Sequence, residues 1–166
     1  MENKIKMENK TKSVAEIEKA LKGNIPYKWK IQSFGKNNTL GVCVAYIDAR
    51  DVMDRLDSAV GIENWQDTYY RDSSGNLVCK LGIRINGEWI YKEDTGVSGD
   101  FEKEKSEYSD AFKRSAVKWG IGRFLYDLDM RLVRVANKKP VDEKGVVIKD
   151  LTKYFNLLDK NNGESN

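Results

Sequence analysis

A chain of 166 residues with 40% apolar content can bury one core and is short for two, and its formal charge of +3 is too small to define a partner by itself. No apolar run approaches the roughly twenty residues of a spanning helix, and the charged, amide-rich start lacks the apolar middle of a secretory signal. The expectation is a soluble cytoplasmic protein without a membrane partner. Histidine is absent, which excludes Ser-His-Asp and Cys-His nucleophile systems and HExxH zinc sites.

The opening "MENKIKMENK" has no periodicity that could offset ordering entropy, so residues 1–12 read as a disordered tail. "SVAEIEKALKG" places Val14, Ile17 and Leu21 at helical spacing, with Ser13 as N-cap, Glu16 completing a capping box and Gly23 as the stop. "YKWKIQSFG" and "LGVCVAYI" are β-prone stretches around the turn-like "GKNNT", a hairpin. "ARDVMDRLDSAVG" repeats Val52, Leu56 and Val60 and ends at Gly61, a second helix. "NWQDTYYRD", "LVCKLGIRI" and "WIYKED" follow as strands joined by the tight turns "SSGN" and "NGE".

After the loop "TGVSGDF" comes the longest predicted helix, "EKEKSEYSDAFKRSAVKWG", with Tyr108, Phe112, Ser115, Ala116 and Trp119 on one face able to cover a sheet. "ANKKPVDEKG" reads as a linker, and "DLTKYFNLLDK" as a last short amphipathic helix on Leu151, Tyr154, Phe155 and Leu158. The fold class expected is α+β: an antiparallel sheet packed on a long amphipathic helix, with short flanking helices. The functional domain is expected over residues 13–135, and residues 136–166 as linker, helix and tail.

Cys43 and Cys79 are too far apart for a CxxC motif and each lies in an apolar, strand-like stretch, so both read as buried free thiols. Two isolated cysteines cannot complete a zinc shell, and no GxxxxGK[ST] stretch is present. No cofactor is expected.

The long helix carries the chemistry. Its first half is acidic, with Glu102, Glu104, Glu107 and Asp110, and its second half is basic, with Lys113, Arg114 and Lys118. Such a pair on a helix is often a solvated edge. Arg114 and Lys118 share a row without a carboxylate at the matching i+4 position. "GIGR" follows, whose glycines would let backbone and Arg123 approach an anion closely. Arg131, Arg134, Lys138 and Lys139 add charge beyond it. The stretch follows a helix, which is wrong for a dinucleotide fingerprint.

Trp119, Phe124 and Tyr126 could stack bases, but their spacing favours core, as does the placement of Trp29, Trp65 and Trp89. Asp94, Asp100 and Glu102, and the tripeptide Asp142-Glu143-Lys144, are the nearest approach to a metal nuclease; the tripeptide falls in the predicted linker, with no strand to hold its geometry.

"YIDARDVMDRLDSAVGIENWQ", "WIYKEDTGVS" and "SDAFKRSAVKWGIGRFLY", in that order, resemble the Rad fifty-two/Rad twenty-two family of single-strand annealing proteins, notably its short phage Sak-type members. The resemblance runs from about Ile25 to Leu132. It implies a β-β-β-α core, a homo-oligomeric ring, arc or filament, and ATP-independent annealing of complementary single-stranded DNA in recombination and break repair. A single-strand-binding protein or phage exonuclease is an implied partner.

The family's groove pair corresponds to Lys113 and Arg114. A further basic residue of the eukaryotic members would fall at Val117, its role passing to Lys118, and another groove arginine lies within one position of Arg50. The candidate DNA-binding set is thus Lys113, Arg114, Lys118, Arg123, Arg50 and Lys105.

Overall fold

A computed structural model describes residues 12–35, 37–96 and 103–163. Nearly all of the expected N-terminal tail lies outside the described residues, as do residues 97–101 of the "TGVSGDF" loop. The elements in order are α1 (Val14–Lys22), β1 (Lys28–Phe34), β2 (Leu40–Tyr46), α2 (Ala49–Val60), β3 (Trp65–Arg71), β4 (Leu77–Ile85), β5 (Glu88–Thr95) and α3 (Lys103–Lys118). A 3-10 helix (Arg123–Asp127), β6 (Arg131–Ala136), β7 (Lys139–Val141) and α4 (Leu151–Gly163) complete the chain. The α+β class is as expected, but the strands form two antiparallel sheets, β1-β2-β6-β7 and β3-β4-β5.

Each sheet anchors its own compact unit. One comprises the chain through Gly23 with Ala49–Ile121; the other comprises Asn24–Asp48 with the chain from Gly122.

In the first unit the capping box on α1 is complete: the Ser13 amide donates to Glu16 at 2.8 Å and the Glu16 amide to Ser13 Oγ at 3.3 Å. α1 packs on α2, burying Ile17 and Leu21, while α2 buries Val52, Leu56 and Ala59. β4 is the central strand. Because side chains alternate along a strand, Leu77, Cys79, Leu81 and Ile83 share one face, where all are buried and α3 covers the sheet with Phe112, Ser115, Ala116 and Trp119. Burying a side chain the size of Phe112 contributes about 2–3 kcal/mol. Tyr108, placed on that stripe by its spacing, is 45% exposed and rests its ring on Tyr69 instead.

In the second unit, Trp29, Cys43, Val133, Val135 and Phe155 form the core between the sheet and α4. Trp29 meets Phe155 edge-on at 5.4 Å and its amide donates to Thr152 Oγ1 at 2.9 Å. Arg131, counted among the basic residues beyond "GIGR", lies over both rings and donates to both Asp159 carboxylate oxygens at 2.8 Å.

The stretch read as a linker is ordered. β6 and β7 pair through a turn in which Asn137 and Lys138 both have positive φ, 50° and 60°. That is the geometry a two-residue hairpin turn requires and asparagine tolerates, so turn chemistry is what resembled a linker. Asp142 sits in a second turn, accepting from the amides of Lys144 and Val146 at 2.9 and 2.8 Å.

Candidate nucleic-acid interface

Two buried hydrogen bonds set the rotation of α3 on its sheet. Ser115 Oγ donates to the Cys79 carbonyl at 2.7 Å, and Trp119 Nε1 donates to the Leu81 carbonyl at 3.2 Å. With those two positions held inward, helical geometry turns Arg114 and Lys118 to solvent in one row, and both are exposed. Lys113 is half-buried beside them.

Besides Asp110, one turn before Arg114 on the helix, the row has a tertiary carboxylate. β5 places Lys92 and Asp94 on the face toward α3, opposite Leu81 and Cys79 in register. Asp94 Oδ1 lies 3.4 Å from the Arg114 guanidinium and Oδ2 lies 3.6 Å from Lys118 Nζ. The Thr95 amide donates to Asp94 Oδ1 at 2.8 Å, and Lys118 Nζ also donates to the Glu93 carbonyl. Lys92 Nζ donates to the Lys118 carbonyl at 2.8 Å and stands 4.6 Å from the centre of the Trp119 ring. It thereby caps a carbonyl at the helix C-terminus, where a cation is also favoured by the dipole.

Sequence reasoning missed Lys92 and named Asp94 only among the nuclease carboxylates. The signal available was strand alternation, which sets Ile90, Lys92 and Asp94 on one face of a predicted strand.

The glycines of "GIGR" serve the fold. The Gly120 amide donates to Val117 and the Ile121 amide to Ala116, at 2.9 and 3.1 Å, a Schellman ending with Gly120 at φ +97°. Gly120 and Gly122 are buried, and a Cβ would come within 2.7 Å of Lys22 at the first and 2.8 Å of Ile47 at the second. Positive φ and close packing account for the missing side chains at both positions.

The remaining candidates spread further. Arg50 is exposed at the start of α2. Lys105 belongs to the first turn of α3, and its side chain lies outside the described residues. Arg123 is exposed at the head of the 3-10 helix, in the second unit.

Trp29 and Trp119 are buried, and Trp65 packs near Phe112 at 6.1 Å, as core residues should. Tyr126 and Trp89 depart from that reading. Tyr126 follows the 3-10 turn outward and is 73% exposed, while Trp89 lies beside Tyr91 on the sheet face away from α3.

Of the nuclease carboxylates, Asp94 is engaged by cations, and Asp100 and Glu102 lie outside the described residues. Among the described residues no group of three or more His, Cys, Asp or Glu could hold a metal, and no helix is long and apolar enough to cross a membrane.

A long helix with a basic C-terminal half is laid on a three-stranded antiparallel meander. The Rad52/22 family double-strand break repair protein family matches residues 11–144, and the chain belongs to that family. It is also similar to the single-stranded DNA-binding protein DdrA of Deinococcus radiodurans, 35% identical over 120 residues, covering 69% of this chain and 57% of that one. DdrA of Deinococcus deserti is 35% identical over 135 residues, covering 77% of this chain and 66% of its own length. The chain therefore spans less than two thirds of either relative. No solved structure matches it.

Proposed function

We propose that the protein binds single-stranded DNA through the basic half of α3 and anneals complementary strands, working without nucleotide hydrolysis or covalent chemistry as a cytoplasmic homo-oligomer, with residues 13–135 as the annealing domain. The observation that carries this reading is the outward row of Arg114 and Lys118, with Lys113 beside it, held in orientation by the buried Ser115 and Trp119 hydrogen bonds. Family membership and the names of the two relatives agree with it.

The mechanism follows from what cations on a rigid helix can do. They grip phosphates without reading sequence, and base edges are left to test an incoming strand. One subunit's few charges give weak binding. Repetition around a ring or arc multiplies them along one strand through effective concentration. Keeping Trp29 and Trp119 in the core suits this scheme, because bases inserted into protein pockets could not pair.

The test is a fluorescence-quench annealing assay on complementary oligonucleotides, without ATP, across a salt series, with oligomeric state read by sedimentation. The wild type accelerates pairing and the effect fades with salt, while Lys113→Glu with Arg114→Glu abolishes it in a protein that still folds. Unchanged binding and annealing in that double variant would remove the row from the mechanism. A second reading, strand protection without annealing, is favoured by the relatives' names, which specify binding alone. It predicts binding with pairing slower than for naked DNA.

A further inference from the structure

Asp94 sits deeper than the cations it faces. Its side chain is 20% exposed, against 44% for Arg114 and 47% for Lys118, so the two basic groups reach outward over a recessed carboxylate. The carboxylate is itself held in place by the Thr95 amide at 2.8 Å. Yet both ion pairs, at 3.4 and 3.6 Å, are longer than the roughly 2.7–2.9 Å of a closed charge-assisted hydrogen bond. Asp94 thus gathers the two cations at more than closed hydrogen-bond distance, and Lys118 Nζ also donates to the Glu93 carbonyl. Of the other acidic side chains, Glu93 lies 3.9 Å from Lys80 and, by strand alternation, on the opposite sheet face, and Asp110 stands one turn before Arg114 on the helix.

We infer that Asp94 is a built-in competitor for the DNA phosphate: it occupies the ground between Arg114 and Lys118 in the free protein, and a bound strand must draw those cations away from it. This rests on the reading of Arg114 and Lys118 as backbone contacts. The consequence is a deliberately loosened grip. A strand held by unopposed cations would leave slowly, whereas annealing needs the paired product to dissociate and the groove to be reused. Asp94 therefore sets the dissociation rate more than the encounter rate.

Asp94→Asn is the direct test, because the amide oxygen still accepts from Thr95 while the charge is gone. Binding of a fluorescein-labelled oligothymidylate is measured by anisotropy across a salt series, with dissociation followed by stopped flow. One unit charge about 4 Å away in water corresponds to roughly a fivefold change in affinity. Asp94→Asn therefore binds about fivefold tighter at low salt, with a steeper salt slope and slower release, and Asp94→Ser does the same should the amide variant fold poorly. In an Arg114→Ala, Lys118→Ala background the gain vanishes.

Wild-type binding that Arg114→Ala weakens, with Asp94→Asn unchanged or weaker, overturns this inference and leaves the DNA-binding reading intact. The same gain in the row-less background also overturns it, since the effect is then one of overall charge. A wild type that fails to bind DNA removes the DNA-binding reading, and this one with it.

Discussion

Arg71, at the end of β3, closes on Glu107 of α3 with two hydrogen bonds, 3.1 and 3.2 Å long, so an edge strand and the long helix are pinned by a bidentate ion pair. Arg71 also donates to the Gly75 carbonyl at 2.8 Å, which ties the same contact to the β3-β4 turn. Glu107 is only 8% exposed. The guanidinium holds its carboxyl below the ordinary value of 4.5.

A carboxylate whose folded pKa is depressed stabilises the fold fully above its unfolded pKa, and that contribution is lost as pH falls through the folded pKa. Glu107→Gln should therefore lower the urea midpoint at pH 7, and the gap to wild type should narrow as pH falls from about 4.5 toward 3. Urea titrations of both proteins across that range check it. An equal gap at pH 3 and pH 7 would show that the charge on Glu107 contributes nothing.

Gly96 fixes how closely α3 approaches the sheet. A Cβ there would come within 2.4 Å of the Glu107 carbonyl oxygen and 3.1 Å of Ala111 Cβ, and the carbonyl belongs to helix backbone that cannot swing aside. Gly96→Ala should destabilise by about 2 kcal/mol, in the range of overpacking. Gly35→Ala is the comparison, because its Cβ would meet Leu40 at an ordinary 3.6 Å and should shift stability by less than about 0.5 kcal/mol. Equal urea midpoints for the two variants would refute the steric account.

Cys43 and Cys79 are free and fully buried. Burial raises both thiols, that of Cys79 to about 11. Since the thiolate is the reactive form, neither should react with a thiol reagent at pH 8 on the timescale of minutes, and both should react at once in guanidinium chloride. Labelling followed by mass spectrometry checks this. Rapid modification of either residue in the folded protein would contradict the packing described.

The helices and the first hairpin were legible because their signals are local. Ser13 and Glu16 form a capping box within one turn, and Leu56 and Phe112 fall at helical spacing on the faces that bury them. The division into two sheets was not legible. It depends on β6 joining β2, with Leu132 opposite Val42, a pairing between strands far apart in sequence that no local pattern records. The candidate site divided in the same way. Arg114 and Lys118 could be placed on one row from their spacing alone, but their counter-ion Asp94 comes from a strand and is brought to them only by the packing of α3 on β5. The glycines after the helix were read for chemistry, and the structure shows the geometry of a helix ending there.

The amide of Trp29 and the hydroxyl oxygen of Thr152 meet across 123 residues of chain. The β1-β2 hairpin is made early, yet the strand and helix that cover Trp29 and Cys43 leave the ribosome only after the intervening segment Ala49–Ile121. At roughly 5–20 residues per second, that delay is on the order of 6–25 s. For that interval the hairpin's apolar face has no partner of its own. Translation speed thus decides how long this segment is open to aggregation, and a chaperone holding the nascent chain would act on the β1-β2 hairpin.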